Sequence, residues 1–202
     1  MYPKLPISFY TRDDVVLIAR ELLGKFLVTN INGQGITGGM IVETEAYAGA
    51  VDKASHAFGH KRTDRTKVMY EEGGVAYVYL IYGFYNLFNI ITNIGNVPHA
   101  VLIRAIEPTD GIEMMLERRK MSMAERKLTG GPGVLSQALG ISRAQNNFSL
   151  LEDEIWVEER GISFPDSEII ESPRVNVSYA EEDALLDYRF RVKNSQWTSP
   201  AK

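Results

Sequence analysis

Apolar and polar residues alternate with two different periods along this chain, and the period changes mark its elements. Residues 12–23 mix apolar and charged positions in the manner of a helix. Thr11 followed by Asp14 forms a variant capping box at its start, and Gly24 supplies its stop. Residues 25–29 and 39–47 read as strands joined through a turn that includes Asn32-Gly33. Residues 75–82 and 85–92 form a tyrosine-rich hairpin, and residues 100–106 make a further apolar strand. Thr109 or Asp110 caps a helix running to Arg119, and a short helix over residues 133–139 stops at Gly140. Strands at 155–158, 174–178 and 188–192 complete the set. Hairpins dominate and no strand–helix–strand alternation recurs. The expected fold is therefore α+β: one domain over residues 1–202, a curved and mostly antiparallel β-sheet flanked by helices, and a protruding β-hairpin.

Composition narrows the chemistry. The 202 residues include no cysteine, which excludes a disulfide framework, a thiolate nucleophile, an iron–sulfur cluster and any cysteine zinc site. The formal charge of −4 advertises no polyanionic partner. Its distribution is more informative, because Lys53, Lys61, Arg62, Arg65 and Lys67 face only Asp64 within residues 53–67. Arg118, Arg119, Lys120, Arg126 and Lys127 form a second basic cluster, and residues 150–185 are strongly acidic. Segregated charge of this kind presents a positive face to a polyanion, or simply makes solvated faces. The uncharged stretch from residue 73 to 98 is long enough to span a membrane, but its asparagines and Gly83 fit a hairpin instead. No signal sequence opens the chain, and an intracellular, cytoplasmic protein is expected.

Several residues could carry chemistry. In Ile41-Val42-Glu43-Thr44-Glu45-Ala46-Tyr47, a strand puts Glu43, Glu45 and Tyr47 on one face. That face is either the polar exterior of an antiparallel sheet or the wall of a cleft holding a carboxylate general base. Tyr77, Tyr79, Tyr82 and Tyr85 lie close together, with Tyr82 at the expected hairpin tip, where a large ring has little packing reason to be. Tyr77 and Tyr85 read as core aromatics with one wet end. Arg104 interrupts an apolar strand and needs a carboxylate partner, because desolvating a lone guanidinium is very costly. Thr129-Gly130-Gly131-Pro132-Gly133 leads into a helix and offers backbone amides to a phosphate, although such turns are often plain helix entries. His56 and His60 have the spacing of a helical metal pair, but Phe58-Gly59 between them argues against a helix and hence against a metal site. No glycine-rich nucleotide fingerprint is present.

Four segments together carry a resemblance: Ile41–Tyr47, Tyr77–Tyr85, Arg104-Ala105-Ile106-Glu107-Pro108 and Gly131-Pro132-Gly133. In order and spacing they are similar to the signature segments of the alkyladenine (3-methyladenine) DNA glycosylases, over nearly the whole chain. The resemblance implies a monofunctional base-excision repair enzyme. It would flip alkylated or deaminated purines out of duplex DNA and hydrolyse the N-glycosidic bond with an activated water, leaving an abasic site. It implies Glu45 as general base, with Arg104 and the main-chain carbonyl of Val175 helping to bind the water. Tyr47 and Tyr79 would sandwich the flipped base, and His56 would hydrogen-bond near it. Asn89 would clash with the 2-amino group of guanine, and Tyr82 would fill the gap in the stack. Met69, Gly131, Gly133, Arg65 and Lys67 would lie along the DNA backbone. No cofactor, metal or membrane is implied; the partner is double-stranded DNA containing damaged purines, met by a monomer. Val134 stands where relatives often carry a lysine, which bears on DNA affinity and its salt dependence. The alternative on the same fold is a non-catalytic nucleic-acid-binding module. A carbohydrate glycosidase using Glu43 and Glu45 is more distant, since same-face strand neighbours lie about 6.5–7 Å apart at Cα.

Overall fold

The structure, a computed structural model, describes residues 2–200. Its helices are α1 (Ile7–Tyr10), α2 (Val15–Glu21), α3 (Ile112–Arg119) and α4 (Pro132–Leu139). Its strands are β1 (Phe26–Thr29), β2 (Thr37–Tyr47), β3 (Ala76–Ile81), β4 (Tyr85–Thr92), β5 (His99–Asp110), β6 (Ile155–Glu158), β7 (Ile169–Ser172) and β8 (Arg189–Val192). They form one open sheet of eight strands in the order β3-β4-β5-β2-β1-β6, with β8 joining β2 and β7 joining β8. Every pairing is antiparallel. The mixed α+β architecture is the one expected.

The long strand β2 organises the sheet. One edge pairs with β5 along its length; the other pairs with β1 at Thr37–Met40 and with β8 at Glu43–Glu45. The β2–β5 register slips on both sides of Glu43, leaving Val42 and Arg104 without partners directly opposite. Bulges of this kind re-aim side chains, and here they fall on the residues that build the site. Val15, Ile18, Ala19 and Leu22 join Val42 and Ala46 in the main core, where the Thr44 hydroxyl donates to the Ala19 carbonyl at 2.7 Å. Leu135, Ala138 and Leu139 bring α4 into the same core, packed against β4 and β5.

Local differences from the sequence reading have physical causes. Asp14 alone caps α2, accepting from the Leu17 amide at 2.9 Å. Thr11 instead closes the short helix α1, its hydroxyl donating to the Ile7 carbonyl at 3.2 Å. The Asn32-Gly33 turn is present, with both residues at positive φ (53° and 67°). Neither Thr109 nor Asp110 caps α3. The strand β5 runs on through both, and Gly111 at φ +67° makes the entry. Gly140 ends α4 in the left-handed region, as expected. Residues 174–178 form no strand, because their polar groups turn inward to the site described below; β7 lies just upstream. Among the described residues no helix is long and apolar enough to cross a membrane, and the uncharged stretch is the β3–β4 hairpin and the loop after it.

Candidate active site

The longest strands deliver the charged groups. Glu43 and Glu45 on β2 are both fully buried, so their face is no polar exterior. Glu43 is saturated. Its Oε1 accepts from Arg104 Nε at 2.7 Å, Arg189 Nε at 2.9 Å and the Ser199 hydroxyl at 2.8 Å, and its Oε2 accepts from the Ser199 amide. Burial pushes its carboxyl up, but the two guanidiniums and the Ser199 amide together bring it below the ordinary value. A group so placed offers neither a proton nor a lone pair to a substrate. That removes Glu43 and Glu45 as a glycosidase acid–base pair.

Glu45 is held differently. Its Oε1 accepts from the Val175 amide at 2.7 Å and lies 3.3 Å from Arg104 Nη1; its Oε2 accepts from the Tyr47 hydroxyl at 2.8 Å. A carboxylate has about four acceptor positions; two hydrogen bonds and the ion-pair contact with Arg104 leave at least one open. For Arg104, burial works against the charged form, yet Glu45 and Glu43 outweigh it and hold the guanidinium above its usual pKa. The contact found for Val175 is through its N–H rather than the carbonyl the resemblance suggested. That amide is positioned by its neighbour Arg174, which makes a buried ion pair with Asp52 (2.5 and 2.9 Å) and donates to the Ala46 carbonyl at 2.9 Å. Arg174 also lies 4.8 Å from the centre of the Tyr47 ring, steadying it.

Aromatic groups wall the rest. Glu45, Arg104 and Val175 line a cleft of about 760 Å³ with Tyr47, His56, Arg65, Tyr79, Tyr82, Tyr179 and the Gly130–Val134 turn. Tyr47 is half-buried, and desolvation of its hydroxyl, followed by the charge of Glu45, raises its pKa well above the ordinary value. The Tyr79 ring packs against Tyr77 at 5.3 Å and against His56 at 4.7 Å, and takes the Arg65 guanidinium at 4.8 Å. That last contact shows the ring accepting a cation. His56 Nε2 lies 3.2 Å from Arg65 Nη2, and Nδ1 lies 2.9 Å from the Tyr77 hydroxyl. Arginine only donates, so Nε2 must accept and the proton sits on Nδ1. Burial, then Arg65 and Lys61, pushes the imidazole down to about 4, leaving it neutral near pH 7.

The remaining expected residues divide. Tyr82 stands at the hairpin tip, 71% exposed at φ +54°, beside Phe84 at 66%. Phe84 is a second exposed ring that the sequence reading passed over. Gly131 and Gly133 line the cleft beside α4. A Cβ on Gly133 would lie 2.6 Å from Cδ1 of Tyr85, so glycine lets that ring close over the turn. Asn89 is buried, its amide donating to the Tyr77 carbonyl at 3.1 Å, in a small cavity of about 40 Å³ behind Tyr47 and Tyr79. Met69 lines that same cavity at 2% exposure, so its side chain lies inside the protein. Lys67 is exposed, pairs with Asp64 at 3.4 Å and does not line the cleft. His60 sits in the 3-10 turn Phe58–His60, not on a helix with His56. The roles of Glu43, Asp52, Arg174, Arg189 and Ser199 were missed from sequence, since each depends on contacts between distant segments.

Fold and site together define an α+β protein whose aromatic cleft suits a planar, electron-poor ligand held against one buried acid. The family model described as Methylpurine-DNA glycosylase (MPG) matches residues 8–196. The chain belongs to that family of DNA glycosylases. Similar proteins from several bacteria carry the name "Putative 3-methyladenine DNA glycosylase". The one from Chlamydia felis is 46% identical over 195 residues, covering 95% of this chain and 98% of its own. Those from Clostridium perfringens strain 13 and Clostridium acetobutylicum are each 45% identical, covering 97% and 98% of this chain and 98% of their own.

Proposed function

We propose that this protein removes alkylated or deaminated purines, of the 3-methyladenine, 7-methylguanine and hypoxanthine class, from duplex DNA. The damaged nucleotide is flipped into the cleft and its N-glycosidic bond is hydrolysed by water. The single observation that carries this reading is Glu45. It is the one carboxylate in the cleft wall with an acceptor position to spare, fixed by Val175 and Arg104 beside Tyr47 and Tyr79.

Extruding a base costs a few kcal/mol, and a wedge that stacks in its place offsets part of this. Tyr82, exposed at the tip of the hairpin, takes that part. The base enters between Tyr47 and Tyr79. An alkylated purine carries positive charge, so it gains cation–π attraction that an undamaged base lacks. Positive charge also makes the base a better leaving group, which reduces the need for an acid. Glu45 has no solvent-exposed surface. The water it activates is therefore admitted as the Tyr47 hydroxyl shifts off Oε2, and bulk solvent is kept away from the acid until then. Glu45 orients and deprotonates this water, while Arg104 and the Val175 amide fix the direction of its carboxylate. Neutral His56 presents its ring to the base and sugar-phosphate. Asn89, rigid behind the aromatic pair, guards against a 2-amino group. Arg65 and the amides of the Gly131–Gly133 turn meet the DNA backbone, with Met69 supporting the pocket from behind and Lys67 contributing from the outer surface. The enzyme works as a monomer without metal or cofactor.

The test is a panel of duplexes, each with one modified purine, incubated in chelator and scored for abasic sites. Release of modified but not normal purines is expected. Tight binding of these duplexes with no abasic site formed in any would instead identify a binding module.

A further inference from the structure

The proposed chemistry needs Arg104 aimed at Glu45, and β5 alone does not aim it. A guanidinium at a bulge has no ladder neighbour to fix its rotamer. Its three nitrogens are distributed over three acceptors: Nε to Glu43 at 2.7 Å, Nη1 toward Glu45 at 3.3 Å, and Nη2 to the hydroxyl of Ser199 at 3.3 Å. Ser199 lies outside the residues 8–196 that the family model matches. It is delivered by Trp197, whose ring is buried in the main core, and it is itself 7% exposed.

The Ser199 hydroxyl is used to capacity. It donates to Glu43 Oε1 at 2.8 Å and accepts from Arg104 Nη2 and from Arg189 Nη2 at 3.4 Å. A hydroxyl has one proton and two lone pairs, so all three positions are filled. Its main-chain amide donates to the other oxygen of Glu43. One residue thus clamps the carboxylate and tethers both arginines that converge on it. Two guanidiniums side by side repel, and Glu43 with the Ser199 hydroxyl between them fixes their spacing.

We infer that Ser199 is a positioning residue for the hydrolytic site: through Glu43 and Arg104 it sets the angle at which Arg104 meets Glu45. The inference rests on the proposed glycosylase reading. Ser199 touches no reacting atom and acts through Arg104. Loss of its hydroxyl lets Nη2 of Arg104 seek another acceptor and draws Nη1 away from Glu45. Without that contact, Glu45 loses one of the groups that aim it into the cleft.

The experiment measures single-turnover release of a modified purine for wild type, Ser199→Ala and Ser199→Thr, with lesion-duplex binding and melting curves alongside. Ser199→Ala is expected to slow release about 10- to 100-fold, as a displaced catalytic group does, with lesion binding changed by less than about threefold. Ser199→Thr, which keeps the hydroxyl, restores the rate. Where Ser199→Ala does not fold, Ser199→Cys replaces it, since a thiol fills the space but is a poor donor and acceptor. A merely structural role would lower release and lesion binding together, in proportion to the unfolded fraction shown by the melting curve. That result, or a wild-type rate in the variant, overturns the inference. A wild-type protein that releases no modified purine overturns the glycosylase reading instead.

Discussion

Exchanging Glu45 for glutamine tests the reading most directly, because the structure predicts a protein that folds and binds but does not react. Glutamine keeps the volume and loses the charge. Its carbonyl oxygen can stand where Oε1 stands, accepting from the Val175 amide at 2.7 Å and facing Arg104 Nη1 at 3.3 Å. Its NH2 then meets the Tyr47 oxygen at 2.8 Å, and a phenol can reverse from donor to acceptor. No polar contact is lost outright, and Arg104 keeps Glu43 at 2.7 Å. The cost to folding is the weakened pairing with Arg104, about 1–2 kcal/mol, which for a chain of this size lowers Tm by about 2–8 °C. The chemical step loses its base, worth about 10²- to 10⁴-fold, or about 2.7–5.4 kcal/mol of barrier. The assay is single-turnover release of hypoxanthine or an alkylated purine from duplex DNA at saturating protein, with lesion binding and melting measured on the same preparation. Release within about tenfold of wild type would refute the assignment of Glu45. So would a loss that merely follows the melting curve.

Three further expectations can be checked independently. Tyr82→Ala, at a site 71% exposed, should leave the melting curve in place yet weaken lesion-duplex binding, by about 1–3 kcal/mol if the ring stacks in the duplex; matched losses of stability and binding would make Tyr82 a packing residue. His56 titrates at about 4 in the folded protein against an ordinary 6.5. The unfolded chain therefore takes up the proton first as pH falls, and the stability present above about 6.5 is lost toward about 4. The Tm of wild type should fall more steeply across that window than that of His56→Gln, and parallel curves would remove the argument. Asp52→Asn neutralises one partner of the buried Arg174 pair, at about 3–5 kcal/mol, hence a Tm lower by about 6–20 °C; a melting curve unchanged from wild type would show that the pair does not hold the Val175 turn.

How much of this was legible in the sequence depended on whether a residue's surroundings were local. The strand at Ile155–Glu158, the hairpin and the Gly140 stop were readable because their signals lie within a few residues. Arg174-Val175-Asn176-Val177 misled for the same reason. Its alternation copies a strand, but Arg174 pairs with Asp52 and Val175 donates to Glu45, both on segments more than a hundred residues earlier. Asn176 accordingly turns at φ +59° instead of continuing a ladder. Arg104 could be said from sequence to need a carboxylate, but not which one; it takes Glu43 and Glu45 together, at 2.7 and 3.3 Å.

The two carboxylates show most plainly where pattern stops and structure begins. Period-two reasoning treats Glu43 and Glu45 alike: same strand, same face, both buried. What separates them is the supply of donors. Glu43 sits where β8 and the chain after Trp197 bring Arg189 and both polar groups of Ser199 against it, so its oxygens are consumed in holding Arg104. Glu45, two residues on, meets one amide, one guanidinium edge and one phenol. The acid with four donors serves as a fixture; the undersaturated one, at the wall of an aromatic cleft, is the acid proposed to take a proton from water. The proposed assignment of chemistry to Glu45 rests on this difference in donors and on the Tyr47 hydroxyl being the one that gives way.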